Sequence, residues 1–147
     1  MVKPYANQLV IPPDEVEEKF YLGLNLMKPV EMLIGISDDR KSEWIARSIS
    51  EGRTVVYTKA DTSVWYNKFY KKLAGLNDIK NAVEEYAPVV LTGDSFLTVK
   101  SRFSFFKYFP RYRKHAVVWE QDLDEMLKLG YERPTLDEGF DDFTYFV

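Results

Sequence analysis

The sequence predicts an α/β fold: a single domain built as a three-layer, open, mostly parallel sheet. Three observations lead there. Four short apolar runs rich in branched residues recur along the chain, at 30–36 (VEMLIGI), 54–58 (TVVYT), 88–92 (PVVLT) and 116–119 (AVVW). Each run is nearly continuous rather than alternating, the pattern of strands buried on both faces of a parallel sheet. The segments between them carry helical spacing, and strand–helix–strand order repeated in this way builds βαβ units.

Taken in order, Pro12-Pro13-Asp14 opens a helix over about 15–27 that Pro29 stops, so residues 1–29 are expected as an N-terminal helical extension. After the first strand, a helix over 42–51 ends at Gly52, a plausible C′ residue. Asp61 or Thr62 caps the next helix, whose Trp65, Tyr66, Phe69, Tyr70 and Leu73 share one face. A further helix over about 79–86 ends before Pro88. Phe103 and Phe106 are expected in the core, packing a helix on the sheet. A last helix, 122–129, stops at Gly130. The core is thus expected over 30–132. Residues 133–147, with Asp137, Glu138, Asp141, Asp142, Phe140, Phe143, Tyr145 and Phe146, are expected as an acidic-aromatic tail.

Composition narrows the chemistry. The 147 residues are 46% hydrophobic and 29% charged, which suits one globular domain and excludes a disordered chain. The absence of cysteine excludes disulfides, thiolate catalysis and cysteine-based metal sites. With His115 as the lone histidine, a His-rich metal centre and a Ser-His-Asp triad are not expected. No apolar run is long enough to span a bilayer, and MVKPYANQ lacks a signal peptide's apolar stretch. A soluble, cytoplasmic protein with no membrane partner is expected. Many Tyr, Lys and Glu residues without Cys lean towards a heat-adapted source.

At the end of the first strand stands Gly35-Ile36-Ser37-Asp38-Asp39-Arg40-Lys41-Ser42, with a helix following at once. A phosphate-binding loop reads G-x-x-x-x-G-K-[ST] in this context. Its backbone N–H groups wrap a phosphate at a helix N-terminus, its Lys meets the outer phosphates and its hydroxyl holds Mg²⁺. Gly35, Lys41 and Ser42 match. Arg40 replaces the second glycine and crowds the loop, while Asp38 and Asp39 repel a polyphosphate.

The fourth strand runs into Trp119-Glu120-Gln121-Asp122 and then EMLKLGY. This resembles the Walker B segment of DEAD-box and related superfamily 2 helicases, where a branched strand leads into D-E-A-D and then E-M-L-x-x-G-F. TVVYTKADTSVWYNKF falls at the family's motif Ia, and PVVLTGDSFLTVKSRF at its T-P-G-R-like turn. The resemblance covers about 30–131 and implies a degenerate first RecA-like, P-loop NTPase-like domain. It implies that Glu120 occupies the water-activating position and that Trp119 has replaced the metal-holding acid. Gly35, Lys41 and Ser42 are then a relic nucleotide site. Nothing after residue 132 resembles the second motor domain, so a helicase working alone is not implied. An eroded motor domain of this size is also of a kind that viruses carry, which would place it in a host cell's cytoplasm.

Between residues 100 and 114 the chain carries Lys100, Arg102, Lys107, Arg111, Arg113 and Lys114 without an acid, interleaved with aromatic rings. Such cations neutralise phosphates while exposed rings stack on bases. Tyr108 and Tyr112 are the expected stacking residues. A non-motor protein binding DNA or RNA, acting beside a helicase or replication partner and with hydrolysis lost, is the leading expectation; no cofactor is then required. Three alternatives stand beside it. Asp38, Asp39, Asp61, Asp94, Glu120 and Asp122 at strand ends suit a Mg²⁺-dependent nuclease. Lys41, Ser42 and Glu120 suit a residual Mg-ATPase. The aromatic tail suits an adaptor that self-associates as a homodimer. The tail is also opposite in charge to the basic segment and is expected to fold over it, so that deleting 134–147 would tighten nucleic-acid binding.

Overall fold

A computed structural model of the chain describes residues 8–11 (backbone), 27–58 and 75–147. The apolar runs become β2 (Pro29–Ile34), β3 (Thr54–Tyr57), β4 (Val89–Thr92) and β5 (Arg113–Trp119). Two further strands, β1 (Gln8–Ile11) and β6 (Asp142–Phe146), complete a six-stranded sheet in the order β1-β6-β5-β2-β4-β3. β1 runs antiparallel to β6; every other pairing is parallel. The chain is therefore an α/β protein with an open, mostly parallel sheet, as its continuous apolar runs predict.

The helices are α1 (Asp38–Ser50), α2 (Leu76–Glu84), α3 (Val99–Phe106) and α4 (Leu123–Lys128). On one face of the sheet, Trp44 and Ile45 of α1 pack on Leu33, Val90, Val117, Trp119 and Phe146. Trp119 stacks on Phe146 with ring centroids 5.0 Å apart, and Trp44 meets both edge-on. On the other face, α2, α3 and α4 cover Met32, Ile34, Val56, Leu91 and Val118. Strands buried from both sides have no polar face, which is why the runs read as continuous. Gly52 follows the cap residue Glu51 at φ +81, the left-handed C′ position expected of it.

Three expectations are corrected. Residues 8–11 form a strand where a helical extension over 1–29 is expected. Residues 142–146 are an interior strand rather than a tail, and the aromatic rings of that stretch fill the core on both faces. The acidic stretch does meet the basic segment, Glu138 on Arg102 and Asp142 on Arg113, but β6 lies between β5 and β1 and so cannot act as a displaceable flap over it. Phe103, expected in the core, is 65% exposed. The helix expected over about 15–27 and the Trp65–Leu73 face lie outside the described residues, apart from residue 27. Among the described residues no helix is long and apolar enough to cross a membrane.

Candidate functional site

β2 and β5 pair in register from Ile34↔Val118, so the Gly35 and Trp119-Glu120 segments emerge side by side at the carboxyl end of the sheet. The connection after β2 leads to one side of the sheet, towards β3, and the connection after β5 to the other, towards β6. This reversal is where open α/β sheets form ligand crevices. Gly35 makes the approach possible. It adopts φ +156, and a Cβ there would stand 3.3 Å from the Trp119 Cβ. Its N–H donates to the Ser95 carbonyl at 3.1 Å.

Ser37 then caps α1, its Oγ accepting from the Arg40 N–H at 3.3 Å. The helix starts at Asp38, three residues after the strand, so Asp38, Asp39 and Arg40 form its first turn rather than an open loop. Lys41 is buried at 2% exposure, and its Nζ donates to the Asp94 carbonyl at 3.4 Å. A pocket of about 200 Å³ stands there, lined by Gly35, Asp38, Lys41, Asp94 and Ser95 among others. The Ser42 hydroxyl turns back to donate to the Asp39 carbonyl at 2.7 Å. Gly35 and Lys41 are brought together; Ser42 is exposed and faces its own helix.

Beside this pocket lies a more open cleft of about 770 Å³, lined by Ile36, Ser37, Asp39, Arg40, Asp122, Glu125 and Leu129. Arg40 spans it, pairing with Asp122 through Nε at 3.1 Å. Glu120 lines neither cavity. Its carboxylate accepts the Tyr131 hydroxyl at 2.5 Å and pairs with the Arg133 Nε at 3.2 Å. Arg133 in turn lies 4.4 Å over the Tyr145 ring. Burial, followed by the bond to Glu120, holds the Tyr131 hydroxyl far above its ordinary pKa. Glu120 thus anchors the turn after α4 to the sheet, a role unlike the water-activating one that the helicase resemblance implies. Among the described residues no three acids or histidines stand close enough to hold a metal ion.

The basic segment divides in two. Arg102 is fully buried, its guanidinium bidentate on Glu138 at 2.6 and 3.0 Å and donating to the Phe96 and Leu97 carbonyls at 2.9 and 3.1 Å. Tyr112 is also buried, its hydroxyl donating to the Ala87 carbonyl at 2.7 Å. Arg113 pairs with Asp142 at 3.2 Å. The Lys114 N–H donates to Asp141 at 2.8 Å, and its Nζ to the Tyr112 carbonyl at 3.3 Å. These four were expected at phosphates or bases. Instead Arg102 and Tyr112 belong to the interior, and Arg113 and Lys114 join β5 to the strand that follows.

Lys100, Lys107 and Arg111 remain exposed. Phe103 stands between the two lysines on α3, at i+3 from Lys100 and four residues before Lys107. Half-buried Tyr108 carries the Lys107 amine 5.1 Å from its ring centroid. Phe103 is the residue that composition alone misplaced. Helical spacing alone would not have found it, because Phe103 lies one turn from partly buried Phe106, whose ring it meets edge-on at 6.5 Å.

His115 bonds Asp142 through Nδ1 at 2.6 Å and Thr144 through Nε2 at 2.8 Å. This Asp–His–Thr chain was not expected from a lone histidine. Thr144 is 3% exposed in the middle of β6, so its hydroxyl cross-links strands and has no room for a substrate.

No model of a known protein family matches the chain, and no curated protein matches it.

Proposed function

We propose that the protein is a non-motor nucleic-acid-binding protein that holds single strands on the outer face of α3 and the turn after it. The observation carrying this reading is Phe103, a 65% exposed ring held by a helix between Lys100 and Lys107. Water-exposed Phe is unfavourable, and a π-face flanked by cations suits a base flanked by phosphates. Tyr108 and Arg111, from the turn after α3, are assigned to the path of the same strand. Arg102, Tyr112, Arg113 and Lys114 act behind it, fixing α3 and β5 in place. A helicase-like ancestry belongs to this proposal, supported by the adjacency of the Gly35 and Glu120 segments. Nucleotide hydrolysis does not, since Glu120 and Ser42 are turned to structural partners. A soluble intracellular location goes with it.

Anisotropy of a labelled single-stranded oligonucleotide, titrated across salt, tests the proposal. Three phosphate contacts give a log–log slope of about −2, at about −0.7 per contact on a single strand. Phe103→Ala removes a stack worth about 1–3 kcal/mol and raises Kd roughly 5- to 150-fold with the slope unchanged. No binding even at low salt overturns the proposal.

A further inference from the structure

A second exposed apolar surface lies on α4. That helix buries Met126 and leaves Leu123 and Leu127 exposed, with Leu129 following at 59% exposure. On the other side of the helix from Leu123 and Leu127, Leu129 and Ile36 line the open cleft, where Asp39, Asp122 and Glu125 supply negative charge. Arg40, the lining cation among the described residues, is already paired with Asp122. The cleft therefore offers Ile36 and Leu129 bordered by acids. The α3 surface is its counterpart, an exposed phenylalanine bordered by Lys100, Lys107 and Arg111.

We propose that the α4 cleft docks a second copy of this chain, the Phe103 face of one copy seating on Ile36 and Leu129 of the next. Charge complementarity selects this occupant: the chain carries both halves of the match on different helices. Apolar groups at the centre with opposite charges around them are the ordinary anatomy of a specific interface. The rim pairs stay hydrated, so they set orientation and association rate more than affinity. The contact is heterologous, with unlike surfaces meeting, and its repetition builds a ring or an open chain of copies. The inference goes beyond the nucleic-acid reading and shares one surface with it. A copy whose α3 face is docked cannot hold a strand there, so the two ligands compete.

Sedimentation of the full chain over a concentration series, at low and at high salt, reads the association. Mass rising with concentration and falling with salt is expected. Phe103→Asp and Leu129→Asp each weaken association at least about tenfold, both being exposed positions whose folding is checked by circular dichroism. Mixed together, the two variants form a 1:1 heterodimer, because each keeps the surface that the other lacks. A chain monomeric at every concentration overturns the proposal, as does association that both variants retain. Loss in both variants without recovery on mixing overturns it too, since a contact between like surfaces behaves that way. Should Phe103→Asp fail to fold, Lys107→Glu replaces it in the mixture. Leu129→Asp keeps nucleic-acid binding, so failure of this contact and failure of the nucleic-acid reading are separately visible.

Discussion

Replacing Arg102 by methionine keeps most of the side chain's volume and removes its charge and donors. Three groups lose partners at once: the Glu138 carboxylate and the carbonyls of Phe96 and Leu97. The two side chains are 0% and 5% exposed, so water cannot easily replace the guanidinium. Removing one member of a buried ion pair costs about 3–5 kcal/mol, chiefly because the other charge is left uncompensated. Against a total stability of about 5–15 kcal/mol, that is a large fraction. For a chain of this size it lowers Tm by roughly 6–20 °C. Adding Glu138→Leu removes the orphaned carboxylate and restores part of the loss, while the two carbonyls stay unsatisfied and the exposed Thr135 N–H that bonds Glu138 turns to water. Chemical denaturation of the wild type, both single variants and the double variant gives the coupling directly. A cost below about 1 kcal/mol for Arg102→Met, or additive behaviour of the pair, would refute this reasoning. The same variants separate structure from binding: any that remain folded keep the wild-type salt slope, because Arg102 touches no phosphate.

Other perturbations report on other parts of the fold. Burial raises the Asp141 pKa against the pull of the Lys114 N–H. The folded state then holds this proton more tightly than the unfolded one, and ionisation weakens folding as pH rises. Asp141→Asn, which can still accept from Lys114, is expected to raise Tm at neutral pH and to lose that advantage in acid; a drop at neutral pH contradicts it. Burial likewise raises the hydroxyl pKa values of Tyr112, Tyr131 and Tyr145. Absorbance titration should show these three ionising only as the chain unfolds, with stability falling as pH rises above about 10. Gly35→Ala combines positive φ with a Cβ pressed on Trp119 and is expected to cost about 1–3 kcal/mol. Gly52→Ala meets nothing within 4 Å and should cost less, about 1 kcal/mol; denaturant midpoints that reverse this order count against the account of Gly35.

The fold was legible where burial is two-sided. The runs that became β2, β4 and β5 are apolar because helices cover both faces, and such runs have few alternatives. β6 was not legible because it opens on Asp142, and a buried acid reads as solvent-exposed until its partners are known. Arg113 and His115 are those partners, brought within 3.2 and 2.6 Å by strand pairing across 27 or more residues of chain. Arg102 failed for the same reason. Local sequence gave it a basic neighbourhood, while its partner Glu138 lies 36 residues away. Phe103 failed differently: it stands one turn from Phe106 at the margin of the packed face, where one ring is partly buried and the other 65% exposed. At the sheet's carboxyl end the sequence placed Gly35 after β2 and Glu120 after β5, as the strand ends have them. It could not reveal Tyr131 and Arg133 arriving from beyond α4 to occupy the Glu120 carboxylate.

The pairing of β1 with β6 joins the first and last described strands, Gln8 opposite Phe146. Closing that contact spans nearly the whole chain and carries the largest loop-closure entropy of any pairing in the sheet. β1 is accordingly the strand expected to arrive last during folding and to detach first under stress. Each detachment bares a β6 edge whose backbone groups accept any strand of matching register. A neighbouring molecule's β1 has that register by construction. Strand exchange at high protein concentration follows from where this edge sits in the sheet.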